Sequence, residues 1–293
     1  MKKNEETLFA FFGTPKIAVT SLDALEERGL VPALVITRPD SQKRRSRELS
    51  PSPVKEWAQH RKVDILQPDE VAPDLITELS NTEWDAFVVV SYGTILPKEL
   101  LDIPHKGTLN MHPSLLPRLR GPSPIRSAIL TDEKETGVSV MLLDEKMDHG
   151  PILSQASVTV EEWPPRAALL EGILAEVGAN LLAETLPLWV NGKLTPEAQD
   201  DSAATYCSRI QKGDAEISLS DDAYTNLLKI RAYEGNPGAF TYFERGGKKI
   251  RILITDAELD ENDDLRLLSV IPEGKREMPY EDFLRSGANP CIT

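Results

Sequence analysis

Between residues 8 and 143 the chain alternates short apolar runs with longer segments of helical spacing. That alternation limits the fold more than any other feature. The run LFAFF at 8–12 ends in Gly13-Thr14-Pro15. It predicts a strand followed by a helix, with Thr14 as the cap and Pro15 in the first turn. Ala18, Leu22 and Leu25 recur at helical spacing, so the helix is expected over 16–28, ending at Gly29. Further strands are expected at 31–37, 63–66, 85–90, 107–111 and 138–143, with helices from Pro53 onward and over 124–130. DAFVVV at 85–90 is mostly β-branched or aromatic, as burial on both faces of a sheet favours. These elements imply a largely parallel, doubly wound, Rossmann-like α/β sheet whose ligands bind at the carboxyl ends of the strands.

After a strand at 152–160 and a helix at 167–189 the pattern changes. NGKLTPEAQDDSAA at 191–204 has Gly, Pro and charge without periodicity, and reads as a linker. Beyond it lie one helix (221–233), a hairpin turning at Gly246-Gly247 and a strand at 265–271. The 293 residues suit two domains. The expected division is an α/β domain over 1–190, the linker 191–204 and a small strand-rich domain over 205–293.

No apolar stretch approaches the roughly 18 residues that cross a bilayer. Glu5 and Glu6 interrupt the start of the chain, and Cys207 and Cys291 lack metal-ligand spacing. A cytoplasmic, reduced protein with no membrane partner is expected. No G-x-G-x-x-G follows the first strand and no Walker A string occurs, which removes dinucleotide oxidoreductases and nucleotide hydrolases.

Asn110 and His112 stand two apart at the end of a strand, so their side chains share a face. Asp148 follows His112 by 36 residues, past one helix and the next strand. A helical crossover of that length can return it beside the earlier strand end. An amide donor, an imidazole and a carboxylate together suit acyl transfer, in which a carbonyl oxygen becomes negative and an attacking amine loses a proton. Singly, each has a plainer role: Asn110 capping a turn, His112 satisfied in the core, Asp148 forming a turn before Gly150.

The string Asn110-Met111-His112-Pro113-Ser114-Leu115-Leu116-Pro117, with Arg120-Gly121 after it and Asp148-His149-Gly150-Pro151 later, resembles the signature of the folate-dependent formyltransferases. That resemblance implies a catalytic trio of Asn110, His112 and Asp148. It places Ser114, Leu115, Leu116 and Pro117 in a formyl-folate site, with a loop of Ser91, Tyr92, Gly93, Thr94, Ile95 and Leu96 lining the pterin pocket. Gly13-Thr14-Pro15, Pro51-Ser52-Pro53-Val54-Lys55, Ala204-Thr205-Tyr206, Ile230-Arg231-Ala232-Tyr233, Pro237-Gly238-Ala239-Phe240 and Gly274-Lys275 with Met278 are similar to the methionyl-tRNA branch of that family. The similarity covers nearly the whole chain. It implies an OB-like barrel at 205–293, 10-formyltetrahydrofolate as donor, methionyl-initiator tRNA as acceptor, no metal, and a monomer. By the same resemblance Asn110 and a protonated His112 stabilise the oxyanion, while Asp148 orients His112 and accepts the amine proton. Alternatives are a nucleotide-sugar amine N-formyltransferase with the same donor, or an inactive tRNA- or folate-binding protein, against which the intact trio argues.

Three departures stand out: Arg44-Arg45-Ser46 where the family has Gly-Arg-Gly, His149 where threonine is usual, and Asn236 where tryptophan is common. Acids outnumber bases 47 to 33, a net charge of −14, which disfavours indiscriminate binding to nucleic acid. Yet RPDSQKRRSR at 38–47 sets five bases (Arg38, Lys43, Arg44, Arg45 and Arg47) against one acid at the ligand-bearing edge. It reads as a phosphate-binding loop, or else as a solvated surface loop. Lys248 and Lys249, with Arg245 and Arg251, form a second basic cluster that either tracks nucleic-acid backbone or protects a sheet edge. The acidic run 258–264 is expected to face away from tRNA.

Overall fold

The computed structural model describes residues 7–42, 49–287 and 289–290. The chain forms two compact units, neither continuous in sequence: residues 1–120, 137–158 and 172–206, and residues 121–136, 159–171 and 207–293.

The first unit is built on a seven-stranded sheet. Its strands run in the order Asp64–Leu66, Leu34–Ile36, Phe9–Gly13, Ala86–Val90, Thr108–His112, Thr136–Leu142 and Ile152–Val158. The first five are parallel. Phe9–Gly13 and Ala86–Val90 are buried along their whole length, as their unbroken apolar character requires. Helix Lys16–Glu27 follows the first strand. Pro15, not Thr14, occupies its N-cap in an extended conformation, with no side-chain cap bond. Thr14 therefore stands one residue too early to cap, and its buried Oγ1 has no hydrogen-bond partner among the described residues. Helix Pro53–Arg61 is capped conventionally: Ser52 Oγ accepts from the Lys55 amide at 3.0 Å, with Pro53 in the first turn.

The sheet departs from the expected parallel crossover after Thr108–His112. The next strand, Thr136–Leu142, runs antiparallel to it, pairing His112 with Ser139. The intervening helix Pro124–Leu130 packs on helix Ala223–Ala232, both in the second unit. Asp148 consequently lies in the turn between Thr136–Leu142 and Ile152–Val158 rather than after a parallel strand.

Helix Ala167–Val190 is 24 residues long and, by length and composition, apolar enough to cross a membrane, against the expectation that no apolar stretch approaches that length. Core helices meet the same criterion. Within the first unit Leu174, Ala179, Leu182 and Leu186 are buried, and Trp189 Nε1 donates to the Lys106 carbonyl at 2.7 Å. A Cβ at Gly178 would stand 2.5 Å from Met111 Sδ, so this glycine lets the helix lie against the strand that carries Asn110 and His112.

The second unit contains a five-stranded antiparallel sheet in the order Met278–Pro279, Leu265–Pro272, Lys248–Leu259, Phe240–Arg245 and Asn289–Pro290. Its two outer strands are each paired on one side, so the sheet is open and forms no closed barrel among the described residues. Phe243, Ile252, Ile254, Val270 and Phe283 form its core.

Candidate active site

Asn110 and His112 project from one face of Thr108–His112, as the spacing of two requires. His112 is 5% exposed. Its Nε2 faces the Leu119 carbonyl at 3.0 Å, and because a carbonyl only accepts, Nε2 carries the proton. Its Nδ1 looks toward Asp148 Oδ1 at 3.8 Å, an ion-pair separation rather than a hydrogen bond. The direct orienting contact on His112 is thus a backbone carbonyl, not the carboxylate. Asn110 is half-buried, and its side chain makes no hydrogen bond among the described residues.

Two non-glycine residues at the site sit in the left-handed region: Leu119 at φ 56° and Asp148 itself at φ 49°. Aspartate tolerates this conformation, whereas for leucine it costs roughly 1–2 kcal/mol. Leu119 is buried, and the strained backbone aims its carbonyl at His112.

Ser114, Leu115, Leu116 and Pro117 form the loop after His112. Ser114 Oγ donates to the Arg118 carbonyl at 2.6 Å. Beneath the loop lies Ser139, fully buried on the neighbouring strand. Its hydroxyl donates to the Ser114 carbonyl (2.7 Å) and accepts from the Leu116 amide (3.0 Å) and from Gln155 Nε2 (2.8 Å). Ser139 was not among the sequence candidates, although a lone polar residue inside VSVMLL is a readable signal.

The loop from Ser91 to Leu96 leaves the carboxyl end of Ala86–Val90. Ser91 (φ 51°) and Gly93 (φ 80°) turn the chain sharply. Tyr92 and Leu96 are buried under the loop, and Ile95 is 85% exposed at its tip. Burial pushes the Tyr92 hydroxyl above its ordinary pKa. Arg38 reaches this loop, donating to the Gly93 carbonyl and Thr94 Oγ1, both at 3.2 Å. Lys43, Arg44, Arg45 and Arg47 lie outside the described residues. Lys248 and Lys249 open the second strand of a hairpin in the second unit, where Lys249 Nζ stands 4.0 Å from the centre of the Tyr242 ring.

The segment 191–204, read from sequence as a linker, is firmly bonded within the first unit. Glu197 and Ile152 exchange amide–carbonyl bonds at 2.8 Å. Gln199 Nε2 donates to the carbonyls of Asp148 (2.9 Å) and Gly150 (2.7 Å). Buried Arg120 donates to Gln199 Oε1 (3.0 Å), Asp201 (2.9 Å) and the Tyr206 hydroxyl (3.3 Å). Burial works against the Arg120 charge, but its bonds to Asp201 and Tyr206 prevail and hold its pKa above the usual value. His149 bridges Asp144 (Nδ1, 2.6 Å) and Asp201 (Nε2, 3.4 Å). Among the described residues no three His, Cys, Asp or Glu side chains are grouped to hold a metal ion.

An amide, an imidazole oriented by a backbone carbonyl and a carboxylate thus stand at the carboxyl edge of the sheet of a Rossmann-like scaffold, groups of the kind that acyl transfer uses. Residues 6–186 match the family model described as formyl transferase. A methionyl-tRNA formyltransferase from Caldanaerobacter subterraneus subsp. tengcongensis is 38% identical over 94% of this chain and 95% of its own length. The chain belongs to the methionyl-tRNA formyltransferase family. Among solved structures, HypX from Aquifex aeolicus, in complex with tetrahydrofolic acid, superposes with a TM-score of 0.63 at 17% identity, covering 96% of this chain and 47% of that one. An N-formyltransferase from Helicobacter canadensis, in complex with folinic acid and dTDP-3-aminofucose, gives a TM-score of 0.60 at 19% identity over 84% of this chain and 94% of that one. At those identities the two structures support the fold alone.

Proposed function

We propose that this protein transfers the formyl group of 10-formyltetrahydrofolate to the α-amine of methionyl-initiator tRNA, in the cytoplasm and as a monomer. The observation that carries the reading is the meeting of Asn110, His112 and Asp148 at the sheet's carboxyl edge in a chain so similar to enzymes of that name. The donor supplies an activated formyl carbonyl. Ser91, Tyr92, Gly93, Ile95 and Leu96 on one side, and Ser114, Leu115, Leu116 and Pro117 on the other, would hold it. The exposed Ile95 over buried Tyr92 and Leu96 offers the apolar surface that a flat pterin ring needs.

Asn110 donates a hydrogen bond to the formyl oxygen as it gains negative charge. His112, fixed by Leu119, adds positive charge beside it, and a donor of this kind contributes roughly 3–4 kcal/mol to lowering the barrier. Asp148, negative beside His112 before the attack, accepts the proton that the amine releases and passes it to N10 as the C–N10 bond breaks and tetrahydrofolate leaves. Arg38, Lys43, Arg44, Arg45 and Arg47 serve as phosphate contacts for the acceptor arm. Lys248 and Lys249 do the same on a C-terminal module, 205–293, that we read as OB-like and that follows a catalytic domain at 1–190 and a connector at 191–204.

A second reading, formylation of an amine on a nucleotide-linked sugar, is supported by the fold shared with the Helicobacter canadensis structure. Competition separates them: the protein is given labelled 10-formyltetrahydrofolate with methionyl-tRNA and an amino-sugar nucleotide together. Label on the methionyl amine supports the first reading, and label on the sugar replaces it with the second.

A further inference from the structure

His112 and Asp148 are held by a segment that contributes no group to the reaction. Residues 197–206 bond both the 117–120 loop that orients His112 and the 148–150 turn that carries Asp148, and Leu119 and Asp148 are the strained points of these two stretches.

On one side is Leu119, whose carbonyl orients His112 from a left-handed conformation that leucine resists. Thr205 Oγ1 accepts the Leu119 amide proton at 2.8 Å, and the Thr205 carbonyl accepts from the Arg120 amide at 2.9 Å. The Thr205 amide completes the link by donating to the Pro117 carbonyl at 3.3 Å. On the other side is Asp148, also left-handed. The amide nitrogen of Gln199 donates to the carbonyls of Asp148 and Gly150 and so fixes the turn from which the carboxylate projects.

The two halves are joined. Arg120 is 1% exposed, and its Nε donates to Gln199 Oε1, which leaves the Gln199 amide nitrogen facing the turn. Asp201 pairs with Arg120 and with His149, whose other nitrogen bonds Asp144. The histidine that departs from the family pattern thus ties the same turn down from its far side.

We propose that Gln199 and Thr205 are positioning residues for formyl transfer. Gln199 sets Asp148 through the turn backbone, Thr205 sets His112 through Leu119, and Arg120 locks the Gln199 amide in the required orientation. The proposal rests on the reading that Asn110, His112 and Asp148 perform the transfer. A bonded strap suits the energetics, because strained backbone persists only where its surroundings over-determine it. Displacements of about 1 Å in a reacting group can cost about a hundredfold in rate.

Gln199→Glu keeps the shape and the acceptor toward Arg120, but sets a carboxylate oxygen against two carbonyls. Thr205→Val removes the hydroxyl at constant shape, and Thr205→Ser restores it. Formyl transfer from 10-formyltetrahydrofolate to methionyl-tRNA is measured for each in the full-length protein, with Asp148→Ala as the reference. A silent wild type, or an Asp148→Ala protein of normal rate, refutes the underlying reading and leaves no step for the strap to support. With wild type active and Asp148→Ala impaired, Gln199→Glu is expected to lower kcat about ten- to hundredfold while the donor KM stays within about twofold. In an Asp148→Ala background the same change is expected to alter kcat by less than about twofold, because the group it positions is gone. Thr205→Val is expected to lower kcat about tenfold and Thr205→Ser to recover it. If Gln199→Glu fails to fold, the Thr205 pair decides. Wild-type kcat in both Gln199→Glu and Thr205→Val, an equal loss in the Asp148→Ala background, or no recovery by Thr205→Ser overturns the proposal.

Discussion

Replacing Ser139 by alanine removes one oxygen and leaves three groups without their partner. The hydroxyl is fully buried between the Ser114 carbonyl, the Leu116 amide and the Gln155 side chain. Gln155 keeps its second bond, from Nε2 to the Leu116 carbonyl at 2.8 Å. The two backbone groups have no such alternative. A buried polar group left unpaired costs about 1–3 kcal/mol, so Ser139→Ala is expected to cost about 2–4 kcal/mol. At roughly 2–4 °C per kcal/mol for a domain of this size, the thermal midpoint falls by about 5–15 °C. The damage is centred on residues 114–117, the proposed donor loop, so the donor KM is expected to rise about tenfold with a smaller change in kcat. Differential scanning calorimetry and steady-state kinetics on the same preparation supply both numbers. A midpoint within about 2 °C of wild type with an unchanged KM refutes the reasoning, since it means the loop does not depend on this hydroxyl.

Gly150 admits no side chain. A Cβ there would stand 1.9 Å from the Leu142 carbonyl oxygen, so Gly150→Ala must displace the Asp148 turn. A loss of at least about a hundredfold in kcat is expected, and normal turnover would show that the turn tolerates movement. Asp201 has its pKa held below the ordinary value chiefly by its hydrogen bond to Arg120. A depressed carboxylate stabilises the fold fully above its unfolded pKa of about 4 and loses that contribution as pH falls through the lower native value. The stability gap between wild type and Asp201→Asn should therefore be constant from pH 8 to about 5 and shrink below about 4 in urea titrations. A gap that shrinks near neutral pH contradicts the assignment. Changing Arg44, Arg45 and Arg47 together to alanine should weaken tRNA binding and lower its salt dependence by up to about three phosphate contacts. Unchanged affinity in a filter-binding titration removes this loop from the tRNA surface.

Much of both units was legible because its signals are local. The buried run at 86–90, the helix 16–27 and the hairpin over 240–259 all follow from periodicity and turn residues. The antiparallel return at 136–142 was not legible. Its direction is visible only in the long-range pairing of His112 with Ser139, which no local pattern encodes. Thr14 misled because a proline one residue later takes the cap itself. At the site, Asn110 and His112 declared themselves by a spacing of two on one strand, whereas Asp148 depended on a family resemblance. Gln199 and Thr205 were invisible: ordinary polar residues in an aperiodic stretch, and only tertiary contacts 51 and 86 residues distant along the chain give them a role. Aperiodic sequence marks the absence of regular structure, not the absence of structure.

The central claim is that Asn110, His112 and Asp148 together carry formyl transfer to methionyl-tRNA. Single-turnover transfer of labelled formyl from 10-formyltetrahydrofolate to methionyl-tRNA, in wild type, His112→Ala and Asp148→Ala, tests it most directly. Formyl-methionyl-tRNA is expected from wild type, with the rate reduced by about 10²–10⁴ in each variant while all three stay folded. Near-normal rates in either variant, or no formylation by the wild type, would contradict it.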